Sequence, residues 1–547
     1  MRGPDAAYPR ELFPQVLVRQ VRIVTVGGVA APDGTVDLRM REGRIVEVGP
    51  SLTAIPQDEE VLDAAGRWAA PGLWDHHVHL AQWADTLTRL DLAGTIGPDE
   101  VLTRVAARVV TLDGSGDRES VVVGFGYRSA TWPRQARVDE LDAVSGRHPV
   151  VLVSGDAHNG WVNSAGLRLL GAPPTEVPLT ENDWFPLMGR LDELTGSRES
   201  KDAAYREAVA QAAARGIVGI GDMEFGDGVG AWPPRFAAGV RDLRARVAVY
   251  PDGLDAVIAA GLRSGDDLCE SGGLVRMGPL KVISDGSLNT RTAYCDHPYA
   301  AVPGSGGAGG PGGTSGPGGK GGTGGPVADP CGRSNYTAAK LTGLAERATR
   351  AGLRLAIHAI GDAAVAQALD VFEATGGRGT IEHAQLMRWS DLPRMARLRV
   401  GASVQPAHLL DDRDVTALCW PDRADRCFVL RSMHEAGIAL LLGSDAPVAP
   451  MDPWLAMAAA VHRSADERPP WNCAEALTPA QALAGSTDRQ GTLRAGSRAD
   501  VVLLDADPLA PPRGEDDGGT AAAAERLRSM PVAATFLGGR LTHRGGW

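Results

Sequence analysis

The chain has 547 residues, 44% of them hydrophobic, enough for a sizeable core and, at ~150 residues per domain, for more than one domain. Its 55 Lys and Arg against 67 Asp and Glu leave a net charge of −12, with no block of like charge and no basic stripe, which argues against nucleic acid as a partner. The cysteines at 269, 295, 331, 419, 427 and 473 form no CxxC pair, so neither a disulfide framework nor a thiolate zinc site is indicated and a reducing, cytoplasmic setting is the simpler reading.

The N-terminus, "MRGPDAAYPRELFPQ", lacks an apolar leader core, and no apolar run reaches the ~18 residues of a membrane span, so no membrane partner is expected. The stretches "VLVRQVRIVTVGG" and "GTVDLRMREGRIVEVGP" alternate apolar and polar residues between Gly turns and predict a short antiparallel sheet. Near the other end, "GSRADVVLLDADP" and "PVAATFLGGRLTHRG" repeat the style. Between them, helical stretches such as "YREAVAQAAARG" and "AAVAQALDVFEATG" alternate with short apolar strands such as "IVGIGDM" and "GTIEHAQ". That alternation predicts an α/β fold with a closed parallel (β/α)8 barrel.

The strand candidates end in "WDHHVH", "VVVGFG", "VVLVSGD", "IVGIGD", "LKVISD", "LAIHAIGD", "TIEHA", "GASVQP" and "LLLGSD", one more than eight. One of the strands at 121–126 and 149–153 is therefore expected in the barrel and the other in an excursion. Residues 303–330, almost all Gly, Pro, Ser and Thr, cannot bury enough apolar surface to offset their ordering entropy and are expected to form a flexible surface insertion.

Chemically capable side chains recur at the C-terminal ends of these strands. In "PGLWDHHVHL", residues 71–80, strand alternation places Asp75, His77 and His79 on one face and His76 behind it. Lys281 lies in "GPLKVISDG", His358 in "LAIHAIGD", His383 in "TIEHAQ" and Asp445 in "LLLGSDAP". In a (β/α)8 barrel such ends converge on one face, where active sites lie. Neutral imidazoles and carboxylates suit borderline divalent ions such as zinc, and four histidines with an aspartate suffice for two ions. Two ions at close range need a bridging anion, and the candidate on the intervening strand is Lys281. Protonated it would repel the ions, whereas its carbamate, formed with CO2, can bridge them. Competing readings are a salt bridge from Lys281 to Asp285 and hydrogen-bonded structural roles for His358 and His383.

These residues resemble the metal-dependent amidohydrolase superfamily. "PGLWDHHVH" is similar to its first-strand motif and "GTLRAGSRADVVLLDADP" to the segment that re-enters its small β-domain. "GFGYRSATWP", "KVISDGSLNTRTAY", "HAIGDAAVAQALD", "SVQPAHLLDD" and "GSDAPVAPMDPW" resemble the branch containing N-substituted formamide deformylase. The resemblance implies a barrel over 71–486 and a small β-sandwich domain built from residues 1–70 and 487–547. It implies His77, His79 and Asp445 on one metal, His358 and His383 on another, and carboxylated Lys281 between them, the cofactor being one or two divalent ions, zinc by preference. A homodimer is compatible with it. Residues 176–200 are shorter and less regular than the family's acidic, Gly-rich segment there, and the 303–330 insertion stands where relatives carry a compact loop.

The activity so implied is metal-dependent hydrolysis of carbon–nitrogen bonds other than peptide bonds in a small amide, N-formyl or cyclic amide substrate, through a metal-activated hydroxide. Asp445 is the natural proton shuttle. By the same resemblance His158, in "GDAHNGWVN", and Arg291, in "LNTRTAY", approach the substrate. Against this stand a loop-cap role for His158 and an ion pair from Arg291 to Asp285 or Asp296. Tyr127 and Trp132 line the pocket or belong to a core. The rival functions are a mononuclear deaminase of the same superfamily, which has no use for Lys281, and a catalytically inactive barrel used for binding, which has no need of a complete ligand set.

Overall fold

A computed structural model describes residues 12–546 except 56, 58, 88, 115–119, 130–131, 156–158, 181–182, 185, 188–189, 191–197, 301–328, 465–467 and 512–518. Eight strands run parallel in neighbour order: Leu73–Val78, Ile217–Asp222, Arg244–Val249, Val275–Ile283, Leu355–Ala359, Gly379–His383, Gly401–Val404 and Leu440–Leu442. The eighth closes on the first. Val78 bridges Ala446 in parallel, the Asp445 N–H donates to the His77 carbonyl at 2.7 Å, and the His79 N–H donates to the Ala446 carbonyl at 2.9 Å.

The fifth strand shows how the sequence divides the faces. Leu355, Ile357 and Ala359 join a hydrophobic cluster with Leu341 and Ala345 of the helix Ala338–Arg350 and with Val365 and Leu369 of Asp362–Thr375. Period-two alternation then leaves Ala356 and His358 on the opposite, inner face. Truncating one of these leucines to Ala costs about 2–5 kcal/mol in a close-packed core. The helix Ala338–Arg350 begins where the Thr337 side chain accepts the Lys340 N–H, and Arg347 and Arg350 sit in its last turn, where positive charge favours the helix dipole.

The ninth strand candidate resolves differently from expectation. Neither 121–126 nor 149–153 enters the barrel. Val122–Tyr127 and Val150–Ser154 pair in parallel within a separate five-stranded sheet that also holds Leu90–Asp91, Asn159–Val162 and Leu179–Thr180. The vacant barrel place is filled by Arg244–Val249, whose sequence "RARVAV" hides the apolar run behind two arginines. Ala245 and Val247 pack into a hydrophobic cluster, while Arg244 and Arg246 make bidentate bonds to Asp500 (2.8 and 2.9 Å) and Asp488 (2.7 and 2.6 Å). The charge that masks the strand ties it to the segment entering the terminal sheet.

Both chain ends build that sheet, in the order Arg540–Arg544, Val532–Leu537, Val501–Leu504, Trp68–Pro71, Val16–Ile23, Val36–Arg41, Arg44–Gly49, with Glu60–Asp63 also on Val16–Ile23. It has its own core around Val16, Leu38, Ile45, Val501 and Phe536. The sheet is mixed, where an antiparallel one was expected. Val16–Ile23 pairs in parallel with Glu60–Asp63 and Trp68–Pro71, because the Val36–Gly49 hairpin intervenes before the chain returns in the same direction. Most of the Gly-rich 303–330 segment lies outside the described residues. Among those described, no helix is long and apolar enough to cross a membrane, and no cysteine is in a disulfide.

Candidate metal centre

Strand alternation alone does not build the site. Between the first and second strands the register slips: Ile220 faces Asp75, but Asp222 faces Val78. Such an extra residue breaks the period-two rule. Asp75, expected on the face of His77 and His79, instead lies beside Leu442, Gly443, Pro453 and Ala456. There it accepts the backbone N–H groups of Ser444 (2.9 Å) and His77 (3.2 Å), and burial pushes its carboxyl up to about 7 against the pull of those bonds. His76 is separate from the other two imidazoles as expected. It stacks at 6.0 Å on Trp74, whose ring lies under the Arg246 guanidinium, and burial lowers its pKa to about 4.

The six candidate ligands do meet. One carboxylate oxygen of Asp445 lies 3.4 Å from Nε2 of both His77 and His79. Lys281 Nζ is 3.3 Å from His77 Nε2. The ring of His383 is 5.1 Å from that of His77 and 4.6 Å from that of His358. The reading of Lys281 as a partner of Asp285 does not hold, because Asp285 bonds to His358.

Two of the candidate ligand positions carry left-handed backbone, His383 at φ 69° and Asp445 at φ 57°. This conformation costs on the order of 1–3 kcal/mol and collects at functional sites. Its effect at the sixth strand is direct. Adjacent residues of a regular strand face opposite ways, yet Glu382 Oε2 is 2.7 Å from His77 Nδ1 while the His383 ring packs on His358. The turn at His383 brings both side chains to the same mouth.

Glu382 and Asp285 are fully buried carboxylates that orient imidazoles. Asp285 Oδ1 takes His358 Nδ1 at 2.9 Å and its carboxylate also accepts the N–H groups of Tyr294, Ile360 and Gly361. Each pair occupies Nδ1 and leaves Nε2 as the remaining ring nitrogen, the arrangement found behind histidine metal ligands. Sequence reasoning missed Glu382, whose one signal was its place beside His383. It also missed His408, in the turn Pro406–His408 beyond the seventh strand and so outside a survey of strand ends. The His408 ring stacks on His383 at 6.2 Å, and its Nε2 lies 4.0 Å from Asp445 Oδ2 and 3.2 Å from the Ser444 carbonyl.

The electrostatics suit a cation. Burial and the Lys281 charge lower His77 to about 4, and burial with the neighbouring His358 lowers His383 well below its ordinary value, so both are neutral imidazoles. Burial opposes ionisation of Asp445, but the surrounding His77, His79 and His383 hold it well below the usual carboxylate range. Burial would lower His79 as well, and its contact with Asp445 outweighs this and raises it. Burial lowers Lys281 against the attraction of Glu382 and Asp445. His77, His79 and Asp445, and likewise His383, His408 and Asp445, each bring ligand atoms within 4.8 Å of one another. The shared Asp445 anion among imidazoles of which His77 and His383 are neutral, with His79 Nδ1 lacking a hydrogen-bond partner, fits a divalent ion.

Arg291 donates to the Ala300 carbonyl at 3.0 Å and lies 6.0 Å from the Tyr299 ring, within the 285–300 loop. Neither expected ion pair forms at Arg291, since Asp285 serves His358 and Asp296 is held by Arg388 at 2.5 and 2.6 Å. His158 lies outside the described residues. Tyr127 and Trp132 stack at 5.2 Å in the core of the five-stranded sheet.

A model of the amidohydrolase family matches residues 60–543. The protein LONG AFTER FAR-RED 3 of Arabidopsis thaliana is 27% identical over 545 residues, spanning 88% of this chain and 86% of its own. N-substituted formamide deformylase of Arthrobacter pascens is 24% identical over 554 residues, spanning 92% and 93%. The crystal structure of an uncharacterized metal-dependent hydrolase from Pyrococcus horikoshii shares the fold, with a TM-score of 0.74 at 24% identity over 91% of this chain and 98% of that one.

Proposed function

The chain belongs to the amidohydrolase family, and from that premise we propose that it is a metal-dependent hydrolase cleaving a non-peptide carbon–nitrogen bond in a small amide, N-formyl or cyclic amide substrate. The observation that carries the reading is the single Asp445 carboxylate, one oxygen facing His77 and His79 and the other facing His408, in a mouth that also holds His358, His383 and Lys281. The relative named N-substituted formamide deformylase supports the bond class.

In this reading His77, His79 and Asp445 would hold one divalent ion and His358 and His383 a second, with Lys281 as its carbamate serving as a further ligand and zinc as the metal. Ions bound there supply a lowered pKa for water and polarisation of the substrate carbonyl. The protein's own groups do the rest. Glu382 and Asp285 keep Nδ1 of His77 and His358 engaged, so that Nε2 faces the mouth. The Asp445 carboxylate takes one proton as water adds to the carbonyl carbon, and passes it to the nitrogen as the C–N bond breaks, giving an acid and an amine. His408 and the left-handed turn at Asp445 fix that carboxylate in place.

The test is zinc-reconstituted protein on a panel of N-formyl amines, N-acyl amines, cyclic amides, amino-substituted heterocycles and dipeptides. Equal release of acid and amine from an amide, abolished by chelator, supports the reading. Release of ammonia from heterocycles with amides untouched would replace it with the deaminase reading.

A further inference from the structure

Phe225 follows the second barrel strand and is 51% exposed. Scattered exposed apolar residues need no explanation, but this one is not loose. Its ring stacks on the imidazole of His79, centroids 5.0 Å apart and planes 23° apart. Tyr250 packs on it at 5.2 Å, and the Tyr250 hydroxyl is tied to the Met223 carbonyl at 2.8 Å. The preceding Glu224 pins the loop, its carboxylate accepting the Phe225 N–H (3.0 Å) and both the backbone N–H (3.1 Å) and side-chain amide (3.0 Å) of Gln82. An aromatic side chain held in this way thus rests against a candidate ligand imidazole, and the residue is half exposed beyond the end of the second strand.

The other flank of the first strand is apolar too. Val448, 42% exposed, follows the eighth strand three residues beyond Asp445. Aromatic faces held in this way favour offset stacking with a second ring over contact with a flexible chain. Binding sites commonly combine such a wall with a few convergent polar groups.

We propose that Phe225 forms an aromatic subsite at the mouth of the metal centre, selecting substrates that carry an aryl or arylmethyl group beside the scissile bond. The proposal deepens the amide-hydrolase reading and rests on it for the reaction. Phe225 is a specificity-determining residue here, and its ring receives the substrate's ring while Asp445 handles the proton.

The experiment compares two amides that differ only in N-benzyl against N-butyl, and two that differ in phenylacetyl against pentanoyl, with wild type, Phe225→Tyr, Phe225→Leu and Phe225→Ala. The wild type and Phe225→Tyr are expected to favour the aromatic member of a pair in kcat/KM by about tenfold. Phe225→Leu and Phe225→Ala should bring that ratio to about one with bound metal unchanged. A second readout needs no turnover: calorimetric titration with benzylamine and phenylacetate against butylamine and pentanoate should show the same preference and its loss in Phe225→Ala. An equal fall on all substrates, or loss of metal from Phe225→Ala, would mean that the ring only shields His79 and would overturn the subsite. Absence of turnover on every amide would sink the hydrolase reading, while the titrations would still decide the role of Phe225.

Discussion

Glu382 Oε2 lies 2.7 Å from His77 Nδ1, with the side chains of both all but inaccessible to solvent. Burial alone would raise the Glu382 carboxyl, yet the bond to His77 and the Lys281 charge hold it down to about 2, so it meets the imidazole as an anion. A carboxylate behind a ligand imidazole fixes its tautomer and raises the basicity of the far nitrogen. Glu382→Gln keeps the shape and removes the charge. Retention of divalent metal should weaken by about 10–100-fold, read by competition with a chromophoric chelator. Unchanged retention would reduce the pair to a brace between the first and sixth strands.

In the proposed reaction Asp445 carries the proton-transfer step. Asp445→Asn cannot accept a proton from water, so kcat should fall by roughly 10²–10⁴-fold on whichever amide the wild type accepts. Because Asp445 is also a candidate ligand, metal content is read by elemental analysis and turnover is scored per metal bound. Full activity in this variant would remove Asp445 from the role of shuttle.

Lys281 is 2% exposed, and burial lowers its pKa, which enlarges the neutral amine fraction at neutral pH. Only the neutral amine has the lone pair that adds to CO2. Metal-free protein stripped of CO2 at low pH should therefore recover little activity on adding zinc alone and substantially more on adding zinc with bicarbonate. Lys281→Met should bind less metal and show no bicarbonate effect. A wild type indifferent to bicarbonate would argue against the carbamate.

How much of this was legible before the structure follows from which regularities held. His77, His79, Lys281, His358, His383 and Asp445 could be found because each ends a strand candidate, and parallel strands of a barrel bring such ends together whatever their separation in sequence. Asp75 was misplaced because a one-residue slip after Ile220 is invisible in a single strand's pattern; pairing partners create it. Glu382 and His383 share the mouth only through a left-handed turn, and His408 reaches it from beyond a strand end. Arg244–Val249 escaped notice for a different reason. Its arginines serve long-range partners at 488 and 500, and a local apolar pattern cannot anticipate a charge neutralised some 250 residues away.

That ion-pair cluster yields a stability prediction of its own. Asp488 receives two bonds from Arg246, at 2.7 and 2.6 Å, and a third from Arg498 at 3.1 Å. Burial would raise its carboxyl, but the Arg246 bonds and charge outweigh this and lower it. A folded-state pKa below the unfolded value of about 3.9 means the carboxylate stabilises the fold above that pH. The contribution is lost as pH falls through the folded value. Asp488→Asn should therefore cost about 1.5–3 kcal/mol at pH 7, toward the lower end because the Arg246 side chain is 42% exposed and water screens the pair. Urea midpoints of wild type and variant should differ at pH 7 and converge as the pH drops below about 4. A midpoint difference that persists undiminished into acid would show that Asp488 acts through shape, with its charge contributing nothing to the join between barrel strand and terminal sheet.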